Sequence, residues 1–408
     1  MRSATEFENP YRPGAGHMPP YLAGRDSEFQ EFDKLLTQET ILENMVLTGL
    51  RGVGKTVLLE SFKPRAVKSG WLWVGADLSE SASISEENIA MRLMADLAVA
   101  TSAFTAEVEG PASPGFRTEE PAPSQVPLSY AVLSAVYEKT PGLVSDKIKA
   151  VLEFVYSVLR QHHRSRIIFA YDEAQNLSDH AHKEQFPLSL LLDVFQSIQR
   201  KGIPFMLVLT GLPTLFPKLV EARTFAERMF RVVLLGRLSD DESRQAITKP
   251  IAEAQCPIRF TAESVQTISR QAGGYPYFIQ FICREVFDIW IQQIRDDVTP
   301  NVPVTEIQNK LDTDFFAGRW AKVTDRQREL LWVIATVVKE ADEFTIQDVA
   351  EQSKTLLPKG FGASHVSQML ASLGDHGLIY KNRFGKYSFA VPLLGDFILR
   401  TYDPPNVP

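Results

Sequence analysis

The sequence is poor in several features that would place it in common functional classes. It has only two cysteines among 408 residues, Cys256 and Cys283. Neither lies in a metal-ligand spacing, so neither a disulfide framework nor a zinc site is expected to organise the fold. So few thiols suit a reducing, cytoplasmic compartment. No stretch approaches the roughly 20 apolar residues that a membrane helix needs. The first twenty residues are polar and rich in Pro and Gly, without the apolar run of a signal peptide. Positive charge is not in excess either: 43 Lys and Arg stand against 50 Asp and Glu, a formal net charge of −7. Any surface for nucleic acid must therefore be local. What is present is ordinary for soluble globular proteins, with 44% hydrophobic and 23% charged residues. The length allows two or three domains with a sizeable core.

Residues 1–23 read as an extended arm, because Pro10, Pro13, Gly14, Gly16, Pro19 and Pro20 oppose regular structure. Gly24-Arg25-Asp26 then opens a helical pattern, with Phe29, Phe32, Leu35 and Leu36 at helical spacing behind an Asp26 cap. Five short apolar runs follow at 45–48, 71–74, 166–171, 205–210 and 232–235, separated by segments long enough for crossover helices. Continuous apolar runs suit parallel strands buried on both faces, so the class is α/β. Between them, Ile148, Val151, Leu152, Val155 and Leu159 form one helical stripe. Residues 105–127, with five prolines among Ser, Ala and Glu, read as a flexible surface insertion. The strand pattern stops after 239. Residues 240–320 read as a helical, lid-like bundle. Residues 321–408 read as three helices over 326–338, 346–352 and 364–376, then a hairpin turning near Gly385.

Two strand ends carry chemistry. Gly49-Leu50-Arg51-Gly52-Val53-Gly54-Lys55-Thr56 follows the first apolar run and precedes a helical segment that opens with Val57. This is the Walker A pattern in its proper setting. The glycines let backbone N–H groups curl round a phosphate, and the helix N-terminus adds partial positive charge. Lys55 is the cation for the outer phosphates, and Thr56 supplies a Mg²⁺ ligand. The third run ends in Tyr171-Asp172-Glu173, two acids at the carboxyl edge of the sheet, where ligands bind in open α/β folds. Asp172 is expected in the Mg²⁺ shell and Glu173 as the general base for the attacking water. ATP and Mg²⁺ are the expected ligand and cofactor, and hydrolysis to ADP and phosphate the expected reaction.

Two further candidates are less specific. Thr210 ends the fourth run before Gly211-Leu-Pro213 and is placed to touch the γ-phosphate or the water. Arg228, before the fifth run, is a candidate arginine finger acting on a neighbouring subunit's nucleotide in a homo-oligomer, with Arg223 and Arg231 as rivals.

Taken together, these residues resemble the AAA+ ATPases, over about residues 22–400. More narrowly, the chain is similar to the replication-initiator and origin-recognition ATPases and to the signal-transduction ATPases with numerous domains, including their archaeal-type relatives. The resemblance implies a P-loop parallel sheet in the order 5-1-4-3-2, a helical lid and a C-terminal winged helix. It implies domains at 24–239, 240–320 and 321–408. It also implies that Gly24-Arg25 in Gly24-Arg25-Asp-Ser-Glu28 borders the adenine. Initiators carry an arginine in the lid where this chain has Gly273-Gly274-Tyr275-Pro276. A proline packing near the adenine is the habit of the signalling group, and Pro276 therefore leans the reading toward a switch.

The expected third helix of the C-terminal module places Val366, Met369, Leu370 and Leu373 inward and Ser364, His365, Ser367, Gln368 and Ser372 outward. The hairpin adds Lys381, Arg383 and Lys386. Yet residues 325–408 hold nine Lys/Arg against ten Asp/Glu, whereas affinity for DNA rests largely on phosphate neutralisation. Two readings stay open: an energy-using ATPase that loads onto double-stranded DNA, and a slow nucleotide-gated switch whose module docks on an unidentified protein.

Overall fold

The computed structural model describes residues 8–14, 16–108, 124–256, 259–295, 302–338, 343–382 and 385–403. Among the described residues nine strands run in chain order: β1 Asn44–Gly49, β2 Leu72–Val74, β3 Thr105–Val108, β4 Ser124–Pro127, β5 Ile167–Tyr171, β6 Phe205–Gly211, β7 Phe230–Leu235, β8 Ile379–Lys381 and β9 Tyr387–Phe389. The main sheet has the order β2-β5-β6-β1-β7, which is the expected 5-1-4-3-2 with the strands counted along the main sheet. β5 pairs in parallel with β2 and β6, and β6 with β1. All residues of β1, β5 and β6 are buried, as central parallel strands covered on both faces require.

The chain forms two compact units. The first comprises Asp26–Thr48 and Leu58–Val233. Its core joins the sheet to the helix Val144–Gln161, which buries Ile148, Val151, Leu152, Val155 and Leu159 as the stripe predicts. The helix Asp26–Leu36 begins at Asp26 itself and buries Phe32, Leu35 and Leu36. The close fit of β2 to β5 shows at Gly75 (φ 152°), where a Cβ would stand 1.7 Å from the Ala170 carbonyl oxygen. Only glycine lets that backbone pass.

Residues 105–127 differ from the sequence expectation at their ends. β3 and β4 pair antiparallel from Thr105↔Pro127 to Val108↔Ser124, and Ala106 is buried. The other four prolines of the segment fall within 109–123, outside the described residues, which leaves Thr105–Val108 and Ser124–Val126 free to form a ladder. Pro127 takes a terminal position, where a missing N–H is tolerated.

The second unit comprises Met1–Arg25, Gly49–Val57 and Leu234–Pro408. It contains the helices Asp240–Glu253, Ala262–Ala272, Pro276–Arg295 and Val304–Leu311, then Asp325–Val338, Ile346–Leu356, Ala363–Asp375 and Leu394–Thr401, with the β8–β9 hairpin before the last. The described residues of the N-terminal segment, 8–14 and 16–23, form no helix or strand, but part of them is packed. Tyr11 is 2% exposed within this unit's core, and its hydroxyl donates to the Ile247 carbonyl. Ala363–Asp375 buries Val366, Met369, Leu370 and Leu373. Ser364, His365, Ser367 and Gln368 are exposed, whereas Ser372 accepts a hydrogen bond from Gln327 (3.1 Å) and does not face freely outward. Among the described residues no helix is long and apolar enough to cross a membrane. Cys256 and Cys283 are buried free thiols.

Candidate functional site

The P-loop leaves β1 and opens the helix Lys55–Lys68. Gly52 (φ 79°) and Gly54 (φ 91°) hold left-handed backbone, which side-chain-bearing residues reach only at a cost. Gly49 cannot carry a side chain, since a Cβ would lie 2.7 Å from the Leu235 carbonyl oxygen. The Lys55 ammonium donates to the carbonyls of Gly49 and Leu50, both at 2.9 Å. The loop thus curls round its own cation, as a phosphate cradle does. Val53 is buried, Arg51 is exposed, and Leu50, Thr56 and Val57 are half-buried.

Arg25 is a brace for this loop. It is only 6% exposed, and its guanidinium donates to the carbonyls of Val53 (2.8 Å) and Gly236 (3.1 Å). These contacts tie down the loop and the exit of β7. Gly24 (φ 61°) lies where a Cβ would collide with Glu242. Pro276 starts the helix Pro276–Arg295, a position where its missing N–H costs nothing. The next residue reaches the loop, with the Tyr277 N–H donating to the Gly52 carbonyl at 3.0 Å.

The sheet unit carries further candidate groups of its own. Asp172 follows β5 directly and is 4% exposed. Its backbone extends the pairing with the segment after β2: its N–H donates to Ala76 (3.3 Å) and its carbonyl accepts from Leu78 (2.9 Å). Glu173 is exposed and takes left-handed backbone (φ 51°, ψ 33°), an uncommon conformation for a residue other than Gly, Asn or Asp. Its N–H donates to Asp172 Oδ1 at 2.7 Å. On the neighbouring strand Thr210 is fully buried, and its hydroxyl has no hydrogen-bond partner among the described residues. The Thr48 hydroxyl at the end of β1 is in the same condition. Buried polar groups are nearly always satisfied. Two orphaned hydroxyls near the carboxyl edge of one sheet fit a site whose polar partner is a ligand, and they suit phosphate oxygens or ordered water. Thr56 and Asp172 each carry an oxygen donor of the hard kind that Mg²⁺ prefers.

The structure separates the three arginine candidates. Arg223 is spent on a bidentate pair with Asp193 (2.8 and 2.7 Å) and a bond to Ser189. That carboxylate raises its pKa further. Arg231 bonds Glu31 and Glu43. Arg228 is exposed, lines an open cavity of about 430 Å³ with Thr40, Gln196 and Arg200, and makes no side-chain ion pair among the described residues.

In the C-terminal hairpin, Lys386 pairs with Glu343 at 3.7 Å and Lys381 lies over the Tyr387 ring at 5.8 Å. Arg383 lies outside the described residues.

Sequence reasoning missed Gln175, which contacts Glu173 and also reaches the end of β6. The available signal was a second polar residue two positions after Glu173. It also missed the brace formed by Arg25, which spacing alone could not reveal.

Comparison with known proteins bears on the whole arrangement. A family model described as an AAA ATPase domain matches residues 21–209, and one described as a domain of unknown function (DUF8462) matches residues 313–398. No curated protein matches the sequence. Among solved structures, a Walker-type ATPase of Pyrococcus abyssi aligns with a TM-score of 0.55 at 14% identity, covering 92% of this chain and 96% of that one. The ORC2 protein of Aeropyrum pernix, in ADPNP–ADP complexes, aligns with a TM-score of 0.51 at 13% identity, covering 95% of each chain. At such identities the likeness speaks for the fold alone. Fold and motif agree with the domain match: the chain has the parallel sheet of a P-loop fold, and its residues 21–209 are similar to the AAA ATPase domain.

Proposed function

We propose that this protein binds ATP at the P-loop and hydrolyses it to ADP and phosphate, coupling nucleotide state to a conformational change. The observation that carries the reading is the strand-end arrangement. A buried aspartate and an exposed, backbone-constrained glutamate follow β5, and near the end of β6 the buried Thr210 hydroxyl has no partner among the described residues. In this reading Glu173 takes a proton from the attacking water as it adds to the γ-phosphorus. ADP then leaves as the P–O bond breaks. Lys55 and the P-loop amides hold the β- and γ-phosphates. Thr56 and Asp172 would hold Mg²⁺, which when bound neutralises charge on the phosphate oxygens. Thr210 orients the water or the γ-phosphate. Arg228 is the finger candidate in an oligomer, since both of its rivals are engaged.

Glu173→Gln tests this directly. Hydrolysis should fall by roughly 10²–10⁴, the usual worth of a general base, while ATP binding persists. Undiminished turnover would remove Glu173 from the role. Asp172→Asn should instead weaken Mg²⁺-dependent nucleotide binding.

A second reading, a slow switch, is favoured by one set of contacts. The P-loop belongs to the same compact unit as the C-terminal helices. Tyr277 bonds Gly52, and a side chain at Gly377 would come within 3.8 Å of the Arg51 guanidinium. Arg319 has its pKa lowered by burial first and by the Arg51 charge second. A loop held this way suits a nucleotide gate whose winged-helix-like module docks on protein. The DNA-loading alternative asks for free cations on the hairpin, and Lys386 is already paired.

A further inference from the structure

Glu173 poses a physical problem. It is exposed, takes left-handed backbone, and makes no side-chain cap bond to the short turn that follows it. A glutamate left to itself spreads over many rotamers, and fixing it costs conformational entropy. A general base must nevertheless be in place before the reaction.

The solution lies two residues on. The Gln175 side-chain amide makes two bonds at once. Its Nε2 donates to the Glu173 carboxylate, and its Oε1 accepts from the Leu212 N–H at 3.1 Å. The second bond orients the amide without ambiguity, because an N–H can only donate, so the oxygen must face Leu212 and the NH₂ must face Glu173. The surroundings are built for this side chain. A Cβ at Gly211 would lie 2.5 Å from Gln175 Oε1, so the strand end leaves room for the amide only as glycine. Lys218 donates to the Gln175 backbone carbonyl at 2.6 Å. Asn176, the following residue, donates to the Leu78 carbonyl at 3.0 Å. The turn is thus pinned on both sides, with the amide as a strut from Leu212, just past the end of β6, to the carboxylate of Glu173.

We infer that Gln175 is a positioning residue: it holds the Glu173 carboxylate by one oxygen, leaves the other for the attacking water, and links the base to the Thr210 end of β6. This rests on the hydrolytic reading above. It goes beyond that reading by assigning the base's orientation, and its coupling to the neighbouring strand, to one amide.

Gln175→Glu and Gln175→Ala separate positioning from simple structural support. Glutamate keeps an oxygen acceptor for the Leu212 N–H but replaces the donor to Glu173 with a second carboxylate, and like charges at such range repel. Alanine loses both bonds. If the amide positions the base, Gln175→Glu is the slower of the two, with kcat down about 10- to 100-fold, within the range expected for misplacing a catalytic group. KM for ATP should stay within about twofold, as expected when an interaction specific to the transition state is lost. If Gln175 merely caps the strand end, the order reverses: Gln175→Glu turns over like wild type and Gln175→Ala is the worse variant. That order overturns the proposal, as does loss of ATP binding in both variants, which would make the residue structural. Glu173→Gln is run in parallel. Wild-type turnover there would remove the hydrolytic reading itself and Gln175's role with it. An inactive Glu173→Gln alongside a wild-type Gln175→Glu would remove only the strut.

Discussion

Two regions of this molecule were expected to meet phosphate, and they prepare for it in opposite ways. At the carboxyl edge of the sheet, and separately in the P-loop, polar groups are fixed by backbone: left-handed glycines, a buried aspartate, and two buried hydroxyls with no partner among the described residues. In the C-terminal hairpin the cations are mounted on exposed side chains, and the described ones already have company. Lys386 has Glu343, and Lys381 lies over Tyr387. The difference shows that a charge is a weak guide to ligand binding until its neighbours are known. An exposed lysine beside an acid gives up some of its attraction for phosphate, and an exposed pair of this kind is worth little to the fold. A buried hydroxyl without a partner, by contrast, carries a standing cost that a ligand can relieve.

The largest expected effect that would break this contrast is in the P-loop. Lys55→Ala removes the phosphate-facing cation and leaves the glycine backbone in place. A charge-assisted hydrogen bond is worth about 1.5–3 kcal/mol, so ATP affinity should fall by roughly 10- to 100-fold. Equilibrium nucleotide binding on the folded variant measures it. Wild-type affinity would mean that the loop does not act as the phosphate site.

A smaller effect sharpens the argument about orphaned hydroxyls. Thr210→Val keeps the shape and removes the hydroxyl. With no nucleotide bound the variant should be as stable as wild type or more stable by about 1 kcal/mol, because an unsatisfied buried group has been deleted. With ATP present its hydrolysis should be slower. Thermal melting without nucleotide and steady-state turnover together check the pair of outcomes. Lower stability without nucleotide would mean that the hydroxyl has a partner in the folded protein and is not waiting for a ligand.

These contrasts also show how far the sequence could be read. The sheet was legible because central strands are continuous apolar runs, and the Walker A segment because its glycines serve a backbone geometry that little else demands. The β3–β4 ladder was not legible, because prolines dominate the composition of 105–127 although the pairing residues lie at its ends. Tyr11 was missed as a core residue for the same reason: its prolines describe the local chain and say nothing of what that chain packs against. Gln175–Leu212 and Lys386–Glu343 join residues 37 and 43 positions apart, and no local pattern announces such pairs. Arg25 was read as a neighbour of adenine. The structure adds that its guanidinium braces the loop through Val53 and Gly236.

The smallest expected effect concerns the hairpin. Replacing Lys381, Arg383 and Lys386 with Ala would lower the salt slope of DNA binding by about 2.7 if all three were phosphate contacts, at about 0.9 each. Because Lys386 is paired with Glu343 and Lys381 is drawn to its ring, the expected drop is less than about 1. Salt-titrated binding to double-stranded DNA reads the slope. Glu343→Gln is the companion variant, since it releases Lys386 and leaves the Asn382 side chain an oxygen to bond. If the hairpin serves protein docking or the nucleotide gate, Glu343→Gln leaves DNA affinity unchanged while nucleotide release shifts in the triple variant. A full slope change of about 2.7 in the triple variant, with tighter DNA binding in Glu343→Gln, would instead show that the pair with Glu343 yields readily to phosphate. The hairpin and the strand-end site would then be equally ready for phosphate.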